Sequence, residues 1–274
     1  MSLFIQTNVA SMVAQNNFSN TQAQLASSFQ KLSSGYRINS AADDAAGLGI
    51  ASSMKAQVQS YTYAMQNAND GISMAQTADG AAAQIGDLLT KMRGLAVQGS
   101  NGSLSSSDST NLNSQFQSSL AQIDNIANVT QFNGKNLLAG ASTSVSFQVG
   151  IGTTASDQIS AQFGGADTTN LSVGTLKVDN ATDSQAAITA IDTAIASLST
   201  VREGFGAAIN RLQGTISNLQ SSQTNMSASL SRIQDVDIAS ETAALSREQV
   251  LAQAGAAVLS QANQSPQLAL KLLQ

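Results

Sequence analysis

The chain has 274 residues and a formal net charge of −5, with 11% charged and 4% aromatic side chains and no Cys, His or Trp. Its 12 Lys and Arg form no cluster, which excludes a nucleic-acid binder built on a phosphate-tracking stripe. Disulfides are excluded with cysteine, and the commonest metal ligand and neutral-pH titrating group with histidine.

The first thirty residues, Met1 to Gln30, carry no charge. Ile5, Val9 and Met12 come first, and then Phe18, Leu25, Phe29, Leu32 and Tyr36 step by sevens, fours and threes, marking one face of a helix. A lone amphipathic helix coats its other face with Glu and Lys. Here that face is neutral too, so this end is built to pack against other copies. It lacks the basic start and unbroken apolar run of a secretory signal peptide, and no stretch of the chain suits a membrane-spanning helix. The chain is expected to stay cytosolic or to leave without a cleaved signal.

A second helix follows. Val58, Tyr61, Met65, Ala68, Ile72 and Ala75 alternate steps of three and four, and one short step leads to Ala78, Ala82, Ile85, Leu89, Met92 and Ala96. The slip is a stammer, which overwinds a coiled coil locally. A third helix is expected to start at Asp108 as N-cap and to use Leu112, Phe116, Leu120, Ile123 and Ile126. From 131 to 180 glycines crowd and the period becomes two: Val145, Phe147, Val149, Ile151, then Ile159, Ala161 and Phe163. These read as short antiparallel strands.

The strongest period comes next. Ile191, Leu198, Phe205, Leu212, Leu219, Met226 and Ile233 recur every seventh residue, and Ile188, Ile195, Ile209, Ile216 and Leu230 form a companion row broken at Arg202 and Gln223. Two such rows are a coiled-coil seam, roughly 70 Å long at the helical rise. The far end mirrors the near end: Leu245, Leu251, Ala254, Val258 and Ala262, then Pro266 and the tail Leu268, Leu270, Leu272 and Leu273, with sparse charge.

Few residues could carry chemistry. Asp43 and Asp44 are adjacent carboxylates; neighbours diverge on helix or strand, so capping or intersubunit contact outweighs a catalytic dyad. Gly150, Gly152 and Ala155 spell a dinucleotide-like G-x-G-x-x-A, but the residues after them alternate like a strand where that fingerprint needs a helix. Arg93 reads as a snorkelling surface arginine, and Arg37 as an intersubunit hydrogen-bond fork. Met54, Met65, Met74, Met92 and Met226 lie on or near helical seams and fill core or interface. No nucleophile, base and orienter occur together, so no enzyme activity, cofactor or metal is expected.

Four segments resemble the bacterial flagellins: LSSGYRINSAADDAAGLGIA (Leu32 to Ala51), NDGISMAQTADGA (Asn69 to Ala81), QFNGKNLL (Gln131 to Leu138) and SREQVLAQAGAAVLSQANQSPQLALKLL (Ser246 to Leu273). The resemblance covers about 1–140 and 185–274 and leaves no room for large outer domains. It implies a mainly α fold: an elongated helical coiled-coil bundle with a small antiparallel β-hairpin region and paired N- and C-terminal helices. Residues 1–40 and 236–274 would be the two halves of an inner terminal-helix domain, 41–180 the long helices and β-hairpin of a coiled-coil domain, and 181–235 that domain's C-terminal long helix.

The function implied is that of a structural subunit polymerising into the flagellar filament for motility, made in the cytoplasm and located in the extracellular filament. Export would be unfolded, through the flagellar type III apparatus, with an export chaperone and the filament cap and hook–filament junction proteins as partners, and with neither nucleic acid nor membrane. Subunit contacts would fall on Ile5, Val9, Met12, Leu25, Phe29, Leu32, Leu251, Val258, Leu268, Leu270 and Leu273, and polar ones on Arg37, Asn39, Asp43 and Asp44. Leu89 to Gln98 is similar to the flagellin stretch that animal Toll-like receptors recognise, in Leu89, Arg93, Leu95 and Gln98. Lys91, Gly94 and Gln115 stand where an arginine and two glutamates are usual, so the planar fork and two acceptors are lost. The alternative is a cytoplasmic signalling coiled coil of chemoreceptor type, which would call for membrane spans and unbroken heptads; a secreted effector or adhesin, or a hook–filament junction protein, is a further one.

Overall fold

The computed structural model describes residues 7–271, with side chains up to residue 264. Five helices run in the order α1 (Val9–Ser34), α2 (Ala45–Gly99), α3 (Ser106–Val129), α4 (Ala181–Gln234) and α5 (Ile238–Lys271). Between α3 and α4 lie β1 (Gln131–Phe132), β2 (Lys135–Asn136), β3 (Thr143–Gln148) and β4 (Gln158–Phe163). The strands pair as two antiparallel two-stranded sheets, β1 with β2 and β3 with β4. The mainly helical fold with a small β region therefore stands as expected. The chain divides into two compact units, 1–58 with 224–274, and 59–223; α2 and α4 each contribute to both.

In the first unit α1 and α5 run antiparallel. Asn8 Nδ2 donates to the Ala262 carbonyl at 2.8 Å, and Ser11 Oγ donates to Asn263 Oδ1 at 2.6 Å. At the other end Tyr36 bridges Asp235. Helix α1 is capped at its start by Asn8, whose side chain accepts from the Ser11 amide. It stops at Gly35, which takes φ 75° and donates its amide to the Lys31 carbonyl, a left-handed ending that glycine adopts without a Cβ penalty.

The second unit holds the core. The seam of α2 is fully enclosed from Ala75 onward, with Ala75, Ala78, Ala82, Ile85, Leu89, Met92 and Ala96 all at 0% exposure, as is Ala68 earlier in the row. The bulkier members of the same row, Tyr61, Met65 and Ile72, are only half-buried. Phe116, Leu120 and Ile123 of α3 and Ile191, Leu198 and Phe205 of α4 belong to the same core, and β4 adds Ala161 and Phe163. The Phe163 and Phe205 rings stack with centroids 5.5 Å apart, an arrangement aromatic pairs favour. At Gly71 a Cβ would lie 3.0 Å from Leu212 Cδ1 and 3.1 Å from Phe147, so the missing side chain allows α2 to approach both.

Three expectations need correction. The α3 N-cap is Ser105, not Asp108; Asp108 is the third helical residue and returns a bond to complete a capping box. Both residues are good caps, and the reciprocal pair satisfies two amides where one cap satisfies one. On α4 the heptad row is buried from Ile191 to Leu219, but its fully buried companions are Ala187, Ala194 and Ala208, while Ile188, Ile195 and Ile209 are half-buried. Small side chains permit closer helix approach, so alanines take the enclosed row and isoleucines the flank. Ile151 stands exposed beyond the end of β3.

Candidate assembly surface

The sites expected to matter for assembly lie on α1, α5 and the loop after α1. The α1 residues that turn toward α5 step by three and four: Ser11, Ala14, Phe18, Thr21, Leu25, Ser28 and Leu32 are buried or half-buried. On α5 the half-buried residues include Ala244, Leu245, Ala252, Gly255, Leu259 and Ala262, and a Cβ on Gly255 would sit 3.2 Å from Phe18. Leu25 and Leu32 are thus engaged within the chain. A second set of large apolar groups faces outward: Val9, Met12 and Phe29 on α1 and Leu251 and Val258 on α5 are 49% to 62% exposed, and Val13 and Val250 join them. Ile5 and Leu273 fall outside the described residues, as do the side chains of Leu268 and Leu270.

The loop joining α1 to α2 is folded by its own polar groups. Asp43 Oδ2 accepts from the amides of Asn39 and Ser40 at 3.1 and 2.8 Å and from the Ser40 hydroxyl at 3.0 Å. The Ser40 amide and hydroxyl, then the Asn39 amide, hold the Asp43 carboxyl below its ordinary range. Asp44 caps α2: its Oδ1 accepts from the Gly47 amide at 2.9 Å. Asn39 donates to the Tyr36 carbonyl at 3.0 Å. The two aspartates therefore serve separate turns, with nothing of a shared-proton dyad.

Arg37 was expected to reach another copy. In the structure its guanidinium donates to the Ile233 carbonyl at 2.5 Å and its amide to the Gln234 carbonyl at 2.6 Å. It closes carbonyls that the end of α4 cannot satisfy itself. The surface reading of Arg93 is corrected, since it is paired and not merely snorkelling. Its guanidinium forks onto Asp192, Nε to Oδ1 at 2.6 Å and the other nitrogen to Oδ2 at 3.3 Å. Arg202 does the same to Asp79, at 2.8 and 3.4 Å. Sequence reasoning took Arg202 as a break in a seam. A cation in an apolar row was the signal that a carboxylate faces it from another helix. Asp124 was missed altogether, although its carboxylate takes the Thr168 amide at 3.0 Å and hydroxyl at 2.8 Å and ties the loop before α4 to α3.

In the receptor-like stretch, Leu89 and Leu95 lie in the core, at 0% and 9% exposure, while Lys91, Arg93 and Gln98 are exposed. Gln115 is exposed too and lines one shallow groove with Gln98, Leu104 and Asp108. The G-x-G-x-x-A loop holds the chain's own anion. Residues 155–157 make one 3-10 turn that leads directly into β4. Asp157 Oδ2 accepts from the Thr154 hydroxyl at 2.7 Å and amide at 2.9 Å, bonds that lower its pKa. A Cβ on Gly152 would lie 2.7 Å from that oxygen. The cradle a phosphate would need is thus filled from within. Among the described residues no group of three or more acidic side chains could hold a metal ion, and no helix is long and apolar enough to cross a membrane.

Comparison with known proteins matches this architecture at both ends. The pattern defining the bacterial flagellin N-terminal helical region fits residues 5–143, and that of the bacterial flagellin C-terminal helical region fits 188–273. A flagellin of Halalkalibacterium halodurans is 39% identical over 271 residues, covering 99% of this chain and all of that protein. A flagellin of Bacillus subtilis is 36% identical over 98% of this chain and 99% of its own length. The crystal structure of Bacillus cereus flagellin, 31% identical, overlays 60% of this chain and 94% of that one with a TM-score of 0.49. With both terminal regions matched and relatives aligned end to end, the chain belongs to the bacterial flagellin family.

Proposed function

We propose that this chain is the structural subunit of a flagellar filament, a homopolymer outside the cell that serves motility. Family membership supports the reading, and one observation carries it: α1 and α5 leave a set of large apolar side chains, Val9, Met12, Val13, Phe29, Val250, Leu251 and Val258, facing outward. A pair of helices that leaves Met12, Phe29 and Val258 in water gains little from packing, and packing supplies most helical stability. Further copies would cover them. The two terminal helices then form best in the polymer and are largely disordered in the free chain, with ordering coupled to binding.

Within this reading, residues 1–40 and 236–274 form the inner layer and 41–235 the next one. The chain is exported unfolded through the type III apparatus, with a chaperone on its C-terminal segment, and is added under the cap, beyond the junction proteins. Recognition by an animal Toll-like receptor would rest on the exposed Lys91, Arg93, Gln98 and Gln115, since Leu89 and Leu95 are enclosed. The chemoreceptor-type alternative finds no support: two small sheets interrupt the heptads, and the family is another.

The test is elongation of filament seeds followed by electron microscopy. Removing Met1 to Gln30 should leave a soluble chain that adds nothing to seeds. Normal filaments from the truncated chain would refute the role given to that end. Circular dichroism of free chain and polymer should show a gain of helix on assembly; equal helicity would defeat the coupled ordering.

A further inference from the structure

The chain contains two Asn-Gly pairs, Asn101–Gly102 and Asn133–Gly134, and two Asp-Gly pairs, Asp70–Gly71 and Asp79–Gly80. In such pairs the glycine amide nitrogen can attack the preceding side-chain carbonyl carbon, because no Cβ blocks its approach. The four sites differ in what the fold does to them. Both Asp-Gly pairs lie inside α2, where the backbone is held helical and the glycine amides are committed to intrahelical bonds. At the first Asn-Gly pair, Asn101 Oδ1 accepts from the Ser103 amide at 3.3 Å, which fixes its side chain in an Asx turn. The second pair is the tip of the β1–β2 hairpin. Asn133 and Gly134 have φ 48° and 76°, both positive as a two-residue type I′ turn requires. Both residues are exposed, and nothing lies within 4 Å of where a Gly134 Cβ would be. Among the described residues neither the Asn133 carboxamide nor the Gly134 amide has a hydrogen-bond partner.

We infer that Asn133–Gly134 is a self-modifying site at which the chain deamidates. The Gly134 nitrogen attacks Asn133 Cγ, forming a C–N bond and a five-membered imide. The Cγ–NH2 bond breaks, and the departing amine takes up the proton lost by the Gly134 nitrogen and leaves as ammonia. Water then opens the ring at either carbonyl and gives aspartate or isoaspartate at 133. Electrons are merely redistributed, so no oxidant or enzyme is needed. Isoaspartate adds a methylene to the main chain of a turn that has two residues. Its legs cannot absorb the change freely, because Phe132 packs on the core, Leu137 and Leu138 are at 0% exposure, and the Leu137 amide donates to the Thr130 carbonyl at 3.0 Å. The modification therefore loosens the hairpin.

The test uses the full-length free chain, so it is independent of assembly. The protein is held in mildly alkaline buffer, and deamidation at each asparagine is followed by peptide mass spectrometry, with isoaspartyl methyltransferase labelling to identify the isomer. Folded protein should modify Asn133 several times faster than Asn101, and in urea the two rates should converge. An Asn101 rate equal to or above that of Asn133 in the folded chain, or an unmodified Asn133, overturns the assignment. A Gly134→Ala chain should lose the reaction at Asn133; an unchanged rate there also overturns it. In the isoaspartate-containing fraction, hydrogen exchange at the Leu137 amide should rise, and unchanged protection refutes the loosening of the hairpin.

Discussion

The two compact units share a charge-poor, alanine-rich composition yet solve the burial problem differently. Among the described residues, Ile38 and Ala51 are the only fully buried apolar residues of the unit formed by 1–58 and 224–274; all the rest belong to 59–223. Exposure runs the other way: only Tyr63, Val97, Val129 and Ile151 of the large exposed hydrophobics belong to 59–223. The difference follows from how many layers each unit has. In 59–223, α2, α3, α4 and the β region enclose one another, so alanine seams become core. In the other unit α1 and α5 have mainly each other, and a helix pair covers one stripe of each helix. The same low-charge surface is thus a finished interior in one unit and an unfinished one in the other.

The sharpest way to break this contrast is in the core. Phe205→Ala removes a fully buried ring stacked on Phe163 and should cost about 3–5 kcal/mol in urea unfolding, with loss of the cooperative transition of 59–223. A loss below about 1 kcal/mol would mean the core is not what holds that unit.

A smaller loss is expected from Gly35→Ala. Glycine alone takes φ 75° there without strain, so the change should cost about 1 kcal/mol or slightly more. It should act on the pairing of α1 with α5, read in the polymer where those helices are ordered, and leave 59–223 untouched. Hydrogen exchange reads the two units separately, and loss of protection in 59–223 would show that the effect is not confined to the α1–α5 pair.

Phe29→Ala sharpens the comparison from the opposite side. Phe29 is 51% exposed, so the free chain should change by less than about 0.5 kcal/mol. Seed elongation, however, should slow strongly, because the ring is part of the outward apolar face. A large stability loss with normal elongation would reverse the assignment.

The smallest effect is electrostatic. Asp192, held by the hydrogen bonds from Arg93, and Asp157, held by Thr154, have pKa values depressed in the folded chain. A depressed carboxyl contributes stability that is complete above its ordinary pKa, about 3.9, and is lost as pH falls through the folded value. Asp192 is exposed and Asp157 only half-buried, so each contribution is minor. Carbon NMR of the side-chain carboxyls should show both titrating below the ordinary value, and Asp192→Asn should leave stability at neutral pH almost unchanged while Arg93 returns to its ordinary pKa.

Much of this was readable in advance, because short-range rules suffice for it. The step of seven from Ile191 to Leu219 found the buried row of α4, and the row from Ala75 through Ala96 found the enclosed seam of α2. Alternation at Val145, Phe147, Ile159, Ala161 and Phe163 found the β3–β4 pair. The candidate surface was legible in part: neutrality of the first thirty residues pointed to it, but Leu25 and Leu32 turn to α5 while Val9, Met12 and Phe29 do not. The isolated cation Arg37 gave no sign in the sequence that its guanidinium bonds a carbonyl at the end of α4 within the chain.

Local periodicity, turn chemistry and the shortage of charge follow from neighbours in the chain, so the residues themselves determine the helices, the β3–β4 strands and an uncharged N-terminal end. Tertiary structure decided what periodicity leaves degenerate. It placed Ala187, Ala194 and Ala208 inward and Ile188 and Ile195 at the flank, and it joined Arg93 to Asp192 and Arg202 to Asp79 across 99 and 123 residues. The physical reason is that a helix offers several adjacent stripes of similar polarity, and only the shape and charge of the helix packed against it selects one.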